Sequence, residues 1–363
     1  MLPPPRLAAS YEAPGYPSAS ALLLRSLADG IPPAVAVQVS GSTRISYAAT
    51  GGWATLGGES GPAIPASPGL LFDIASLTKV VATVPAALLL HQRRAWDIDD
   101  PVARWLPGAP ASRVTIRQCL THTAGLVPHR PFYEQPDTPE AVRLAVQAEL
   151  ANAVGGPVSY SDLGYMLVGW AIEQCAGERL DALVGREVFG PLGLTATGYQ
   201  PRVPRSWIAA TEADGDQRRG PDGSGLVWGE VHDGNAWALG GVSGHAGLFS
   251  TAADLGRFAR ALLRPDRHPV LSAATIAFMT TRQAAAGDDV RAIGWRLRPA
   301  AVGWGRWPAA TIWHTGFTGT SLLISPSLDT AVVVLSNAIH PVRRLPETAA
   351  FRATLHRAIR SAL

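Results

Sequence analysis

The sequence predicts a mixed α/β (α+β) fold in which an antiparallel sheet, built from both ends of the chain, is flanked by helices and joined to a mostly helical lobe. Three observations predict it. Short β-rich runs cluster near the N-terminus and again near the C-terminus. The stretch between them carries capped, helix-period segments that cannot pair as strands. With 363 residues, 47% hydrophobic and only 16% charged, the chain is too apolar for disorder and long enough to bury a large core. The expected division is an α/β lobe from residues 1–75 and 291–363, and a helical lobe with cleft loops from residues 76–290.

The elements follow in order. Behind a Pro-rich tail, Ser18 to Asp29 reads as an amphipathic helix closed by Gly30. Ala34 to Ser40 and Arg44 to Thr50 form a hairpin around Gly41-Ser42-Thr43. A Gly/Pro-rich connection, residues 51–68, leads to an almost wholly apolar helix from Ser76 to about Arg93, with Pro85 predicted to kink it. Thr115 and Gln118 have capping-box spacing. Thr138, followed by Pro139, opens a helix to about Ala153, and Leu163 to Ala176 reads as another. Residues 196–247, rich in Gly, Asp and Trp, read as long loops around a cleft. Helices follow from Thr251 to about Leu263 and from Ser272 to Met279. Ala292 to Arg298, Thr311 to His314, Thr320 to Ser325 and Thr330 to Ser336 read as successive strands, and Glu347 to Leu363 as the closing helix.

Composition excludes several functions. The formal charge is 31 − 28 = +3, with basic residues scattered rather than striped, so nucleic acid is not an expected partner. No apolar run approaches the roughly 20 residues of a membrane span. The N-terminal residues lack the basic region of a signal peptide, which points to a cytoplasmic protein. Cys119 and Cys175 lack zinc-ligand spacing and read as reduced thiols; His232, Asp233 and His245 read as rim or cleft-wall groups rather than metal ligands. No cofactor or metal is expected.

One count is more informative than the rest. Of the 31 basic residues, only Lys79 is a lysine. Arginine stays protonated in proteins, whereas a lysine amine can shift its pKa and exchange protons. Ser76 lies three residues before Lys79 on the same helical face, at the predicted helix start. A serine hydroxyl needs a proton acceptor to become a nucleophile. Ile74, Val80, Val81 and Val84 surround the amine with apolar bulk, so desolvation is expected to weaken its hold on a proton. Backbone N–H groups at the helix start can help stabilise an oxyanion.

The segment Phe72-Asp-Ile-Ala-Ser-Leu-Thr-Lys79 resembles the serine penicillin-recognising superfamily, in particular class C β-lactamases and their esterase relatives, whose mark is S-x-x-K. Leu120-Thr-His-Thr-Ala-Gly-Leu126 is similar to the family's L-T-H-T-S-G-L segment, and Tyr160-Ser-Asp162 to its Tyr-x-Asn motif. His314-Thr-Gly316 stands in place of its Lys-Thr-Gly strand, and with Gly247-Leu-Phe-Ser-Thr251 the likeness covers roughly residues 20 to 363. The resemblance implies that Ser76 is the acylated nucleophile, Lys79 its base or base partner, and Tyr160 a proton relay. It places the oxyanion hole at the backbone N–H groups of Ser76 and Phe317. His314 would hold the substrate carbonyl or carboxylate, or tune Tyr160, while Asp162, Thr315, Gly316 and His245 would contact substrate. His122 reads as a buried structural histidine, and one or two of Trp207, Trp228, Trp237, Trp304, Trp307 and Trp313 as lining an acyl pocket.

Two departures matter. Asp162 replaces an amide, adding negative charge beside Lys79 and removing a donor for a substrate carbonyl; His314 replaces a charged lysine. Both argue against strong β-lactam hydrolysis. The expected function is a serine enzyme that takes an acyl group from a small ester or amide. It acts as an esterase or amidohydrolase when water resolves the acyl-serine, or as a biosynthetic transacylase when an amine or alcohol does. The competing expectation is a catalytically silent acyl-binding or sensor module of the same fold.

Overall fold

The computed structural model describes residues 7–12, 15–58, 61–107, 113–134, 153–213 and 225–363; the helix expected from Thr138 to about Ala153 lies almost wholly outside them. The main sheet joins the two chain ends. Strands β1 (Leu7–Glu12), β2 (Ala34–Ser40) and β3 (Ile45–Thr55) come from the first, and β4 (Ile312–Thr315), β5 (Ser321–Ser325) and β6 (Thr330–Ser336) from the last. They lie in the order β1-β3-β2-β6-β5-β4, antiparallel throughout. At the seam Val37 faces Val334 and Val39 faces Val332.

Two-residue alternation gives each face its own core. Val35, Val37, Val39, Leu323, Val332 and Val334 pack with α1 (Pro17–Ala28) and the C-terminal helix α6 (Leu345–Ser361). Ala36, Leu322, Ile324, Val333 and Leu335 point the other way into the core shared with the helical lobe. There α5 (Ala252–Leu262), capped by Thr251 as expected, crosses β2 so closely that a Cβ on Gly256 would overlap the Gln38 side chain.

Three sequence expectations need correction. The tail before α1 contains β1, because β3 runs on to Thr55 and offers an edge on which Leu7 pairs with Gly51. Ala292 to Arg298 is not a strand. A tight turn with Gly294 at φ +79° returns the Ala292 N–H to the Trp295 carbonyl, leaving a single bridge from Arg296 to Trp313 beside β4. The helix after Ser76 is not simply kinked at Pro85. It opens with a π-helical turn, Lys79–Thr83, in which the Val84 N–H reaches back to the Lys79 carbonyl, before α2 (Val84–Gln92). Proline supplies no N–H and its ring crowds the carbonyl four residues back, and a wider turn ahead of it accommodates both facts.

The capping box at Thr115 and Gln118 is formed, opening α3 (Ile116–Leu120), and α4 spans Asp162–Ala176. Among the described residues no helix is long and apolar enough to cross a membrane.

Candidate active site

Ser76 follows a short strand, Phe72–Asp73, and is presented by a constrained elbow. Ala75 holds a left-handed backbone conformation, φ +47°, which is strained for a residue with a Cβ. The buried Asp73 carboxylate holds that geometry by accepting from the Ala75 N–H (2.8 Å) and, from across the cleft, the His232 N–H (2.7 Å). Thr318 and Thr320 donate to the Asp73 and Ile74 carbonyls at 2.7 and 3.1 Å. The Ser76 segment is thus tied to the turn that follows β4.

Lys79 is fully buried. Its Nζ lies 2.9 Å from Ser76 Oγ, 2.9 Å from the His245 carbonyl oxygen and 2.7 Å from Asp162 Oδ1. The Tyr160 hydroxyl donates to Ser76 Oγ at 2.9 Å. The expectation that apolar burial neutralises the amine is overturned. Burial disfavours the ammonium, but the Asp162 carboxylate, helped by Tyr160, outweighs it and raises the Lys79 pKa above the ordinary lysine value. Tyr160 is also raised, by burial first, with the Lys79 charge pulling the other way. The resting site therefore holds an ammonium, a carboxylate and a neutral phenol around the hydroxyl.

His314 is buried on β4, its ring centroid 6.4 Å from that of Tyr160. Its Nδ1 lies 2.9 Å from the Thr315 carbonyl oxygen, so that nitrogen carries the proton and donates. Burial and the charges of Lys79, Arg291 and Arg296 hold its pKa well below the ordinary value. A neutral ring presenting the lone pair of an unpartnered Nε2 accepts hydrogen bonds. It does not clamp a carboxylate, and that part of the expectation is withdrawn. Gly316 is required by close approach: a Cβ there would overlap Thr320 Oγ1 and the Ile74 carbonyl oxygen. Among the described residues, neither the Ser76 nor the Phe317 N–H is taken by another group, which leaves both available to an oxyanion.

His122 is buried, as expected. It accepts from the Ser161 N–H at 3.1 Å, and its ring lies 4.5 Å from that of Tyr160. Trp228, Trp304, Trp307 and Trp313 are buried in packing, whereas Trp237 faces the cleft.

The cleft is a cavity of about 670 Å³ lined by Ser76, Tyr160, Asp162 and His314 together with Thr315, Gly316 and Phe317. Its walls also carry residues that sequence reasoning did not single out. Arg291 is buried, donates through Nη2 to Asp289 at 2.8 Å with its Nε 2.7 Å from the same carboxylate as an ion pair, and its guanidinium carbon sits 5.7 Å from the Tyr160 ring centroid. Arg296 shares the same carboxylate at 3.0 Å. Two guanidiniums on one carboxylate leave this wall with net positive charge, and among the described residues neither Nε nor Nη1 of Arg291 has a hydrogen-bond partner. Arg352 of α6 also lines the cleft and donates to the Gly316 and Thr320 carbonyls at 3.2 and 3.1 Å, without a carboxylate partner among the described residues. Burial pushes its pKa down to about 10. Trp237, Phe317 and Leu345, each more than two-fifths exposed, add apolar surface to the same cleft.

A mixed α/β scaffold that brings serine, lysine and tyrosine together beside a threonine–glycine strand defines the class of active-site-serine hydrolases and acyltransferases. Comparison with known proteins gives the family: the β-lactamase family model matches residues 23–356, and the chain belongs to that family. It is 32% identical over 311 residues to a putative D-alanyl-D-alanine carboxypeptidase of Escherichia coli (strain K12), covering 76% of this chain and 71% of that protein. Two solved structures share the fold. One is EstCE1, a hydrolase with promiscuous acyltransferase activity (TM-score 0.75, 23% identity, 94% of this chain and 97% of that one). The other is simvastatin synthase (LovD) from Aspergillus terreus (TM-score 0.75, 18% identity, the same coverages).

Proposed function

We propose that Ser76 is acylated by a small ester or amide and that water, an amine or an alcohol then resolves the acyl-serine. The observation that carries this reading is the pair of 2.9 Å contacts that Ser76 Oγ makes with Lys79 Nζ and the Tyr160 hydroxyl inside one cleft. In acylation, Ser76 Oγ forms a bond to the carbonyl carbon as the bond to the leaving atom breaks, and the Tyr160 hydroxyl, turned from Ser76 Oγ toward that leaving atom, takes the Ser76 proton in the same step. Tyr160 gives its own proton to the departing oxygen or nitrogen, so the phenol ends unchanged. The Lys79 ammonium, fixed by Asp162, stabilises negative charge building on both hydroxyl oxygens, and the Ser76 and Phe317 N–H groups do so for the carbonyl oxygen. Deacylation repeats the relay in reverse with the acceptor in place of the leaving group.

The arginine wall favours a substrate bearing an anionic group, since Arg291 and Arg296 share one carboxylate and Arg352 has none among the described residues. A peptide ending in a carboxylate, as the name of the E. coli relative indicates for that protein, fits this wall. So does a small acid-bearing ester, and the exposed Trp237 and Phe317 suit an apolar portion of either.

The test is partitioning. The protein is incubated with an activated p-nitrophenyl ester, with and without a panel of amines, and products are read by mass spectrometry together with the mass of the Ser76 peptide. Acylated Ser76 with steady release is expected. Acid alone at high amine concentration would reject the transacylase branch. Stable modification without release would favour the silent module, and no modification of Ser76 would remove the reading altogether.

A further inference from the structure

The mechanism leaves unused a buried chain of polar groups behind Lys79. His245, expected from the sequence to contact substrate, does not line the cleft and is almost fully buried; its Nδ1 lies 2.8 Å from Ser243 Oγ and its Nε2 2.8 Å from Asp233 Oδ1. Asp233 Oδ1 also accepts from the Ala236 N–H at 2.8 Å, capping the short helix Gly234–Ala238. The main chain of the same histidine turns the other way and gives its carbonyl to Lys79 Nζ. Gly244 allows this approach: a Cβ there would overlap the Tyr165 carbonyl of α4, and its own carbonyl accepts from Thr83 Oγ1 at 2.6 Å. Ring and carbonyl belong to one residue, so the side chain's anchors fix the orientation of the acceptor that the lysine uses.

Resting on the acyl-enzyme reading above, we propose that Asp233 and His245 are a positioning pair for the catalytic lysine, holding the His245 carbonyl so that Lys79 Nζ stays aimed at Ser76. The lysine has three oxygen partners: an ion pair with Asp162 and hydrogen bonds to Ser76 Oγ and this carbonyl. Without the third, an ammonium drawn by Asp162 alone is free to swing off the serine. The charged and titratable groups facing Lys79 among the described residues include Asp162, Tyr160, Tyr165, His122, His314 and Asp233, and those interacting with Asp233 include His245, Lys79 and Asp73. Asp233 also faces the cleft, so the pair links the cavity wall to the ammonium beside Ser76.

Lys79 being the chain's only lysine, protein grown with ¹³C,¹⁵N-lysine gives one side-chain signal whose titration reports this group alone. That readout and the pre-steady-state acylation of Ser76 by a p-nitrophenyl ester are measured in the full chain and in Asp233→Ala, Asp233→Asn, His245→Ala and Ser243→Ala. Asp233→Ala and His245→Ala are expected to slow acylation on the order of 10- to 100-fold, with KM little changed and the lysine titrating at lower pH. Asparagine can still accept both hydrogen bonds, so Asp233→Asn should restore acylation to within about three-fold of the parent. Ser243→Ala, the mildest change, gives an intermediate loss and keeps the test open if a larger truncation fails to fold. Parental acylation and an unmoved lysine signal in folded Asp233→Ala or Ser243→Ala would overturn the proposal, as would an Asp233→Asn variant as slow as Asp233→Ala. Failure of the parent itself to label Ser76 would instead strike the acyl-enzyme reading.

Discussion

Replacing Asp162 with asparagine should reverse the electrostatics of the site while barely changing its shape. Lys79 Nζ and Asp162 Oδ1 are 2.7 Å apart, with side-chain exposures of 0% and 18%. At an effective dielectric of about 20 the attraction over that distance is about 6 kcal/mol. Desolvation and the amide oxygen left behind reduce the net effect, and breaking a buried pair typically costs about 3–5 kcal/mol. Losing the carboxylate that raises it lowers the Lys79 pKa. The lysine then titrates below its ordinary value, because burial is no longer outweighed. The sign of the stability effect changes with it. In the parent, the raised pKa gives a contribution fully present below the unfolded value of 10.5 and lost only as pH rises through the folded pKa. In the variant the folded pKa lies below the unfolded one, so stability increases with pH between the two. The assay is a pH titration of the single lysine signal, paired with Tm from pH 6 upward. A variant whose lysine titrates with the parent would refute the claim that Asp162 keeps this amine charged.

Lys79→Arg keeps the charge but substitutes a planar fork for a compact ammonium; acylation of Ser76 by a p-nitrophenyl ester should fall about 10²- to 10⁴-fold in stopped-flow traces, and near-parental rates would end the lysine's role. Gly316→Ala drives a methyl group into Thr320 Oγ1 and the Ile74 carbonyl. It should destabilise the protein by about 1–3 kcal/mol in urea melts and cut acylation about 10²-fold or more by displacing the Phe317 N–H. His356, stacked 3.8 Å from Trp304 and bonded to Ser321 at 3.0 Å, has its pKa pushed by burial from 6.5 down to about 3. Its contribution is present above pH 6.5 and is lost as pH falls from there to about 3, by up to about 5 kcal/mol. Tm measured across that window should decline less steeply in His356→Phe, and parallel curves would assign the acid sensitivity elsewhere.

The architecture was legible where local and global preferences agree. The strand Thr330–Ser336 and the capped helices opening at Thr115, Thr251 and Ser272 appear where patterning puts them, because each is specified within a few residues. The strand Leu7–Glu12 was not legible, since its pairing depends on how far a partner forty residues away extends. The same holds for the run after Arg291, where apolar, strand-like residues are turned back at Gly294 by contacts that no window of sequence contains.

Within the cleft the contrast is one of scarcity. Lys79 was conspicuous as the sole lysine, and its neighbours Ser76 and Tyr160 followed from spacing and resemblance. Arg291, Arg296 and Arg352 were hidden among 30 arginines, all equivalent on paper, and only burial and shared partners separate them from the solvated majority. The protonation state turns on Asp162, whose charge the motif places beside Lys79 but whose distance from it no motif gives. An apolar run around a lysine predicts a depressed pKa only when no carboxylate reaches the same pocket, and Asp162, 83 residues further along, does so at 2.7 Å. Lowering the amine's pKa by burial and raising it with a paired carboxylate are opposite solutions to keeping one lysine beside one serine, and this chain uses the second. In the proposed mechanism the consequence is chemical: proton transfer is assigned to the phenol, and the lysine acts through its charge.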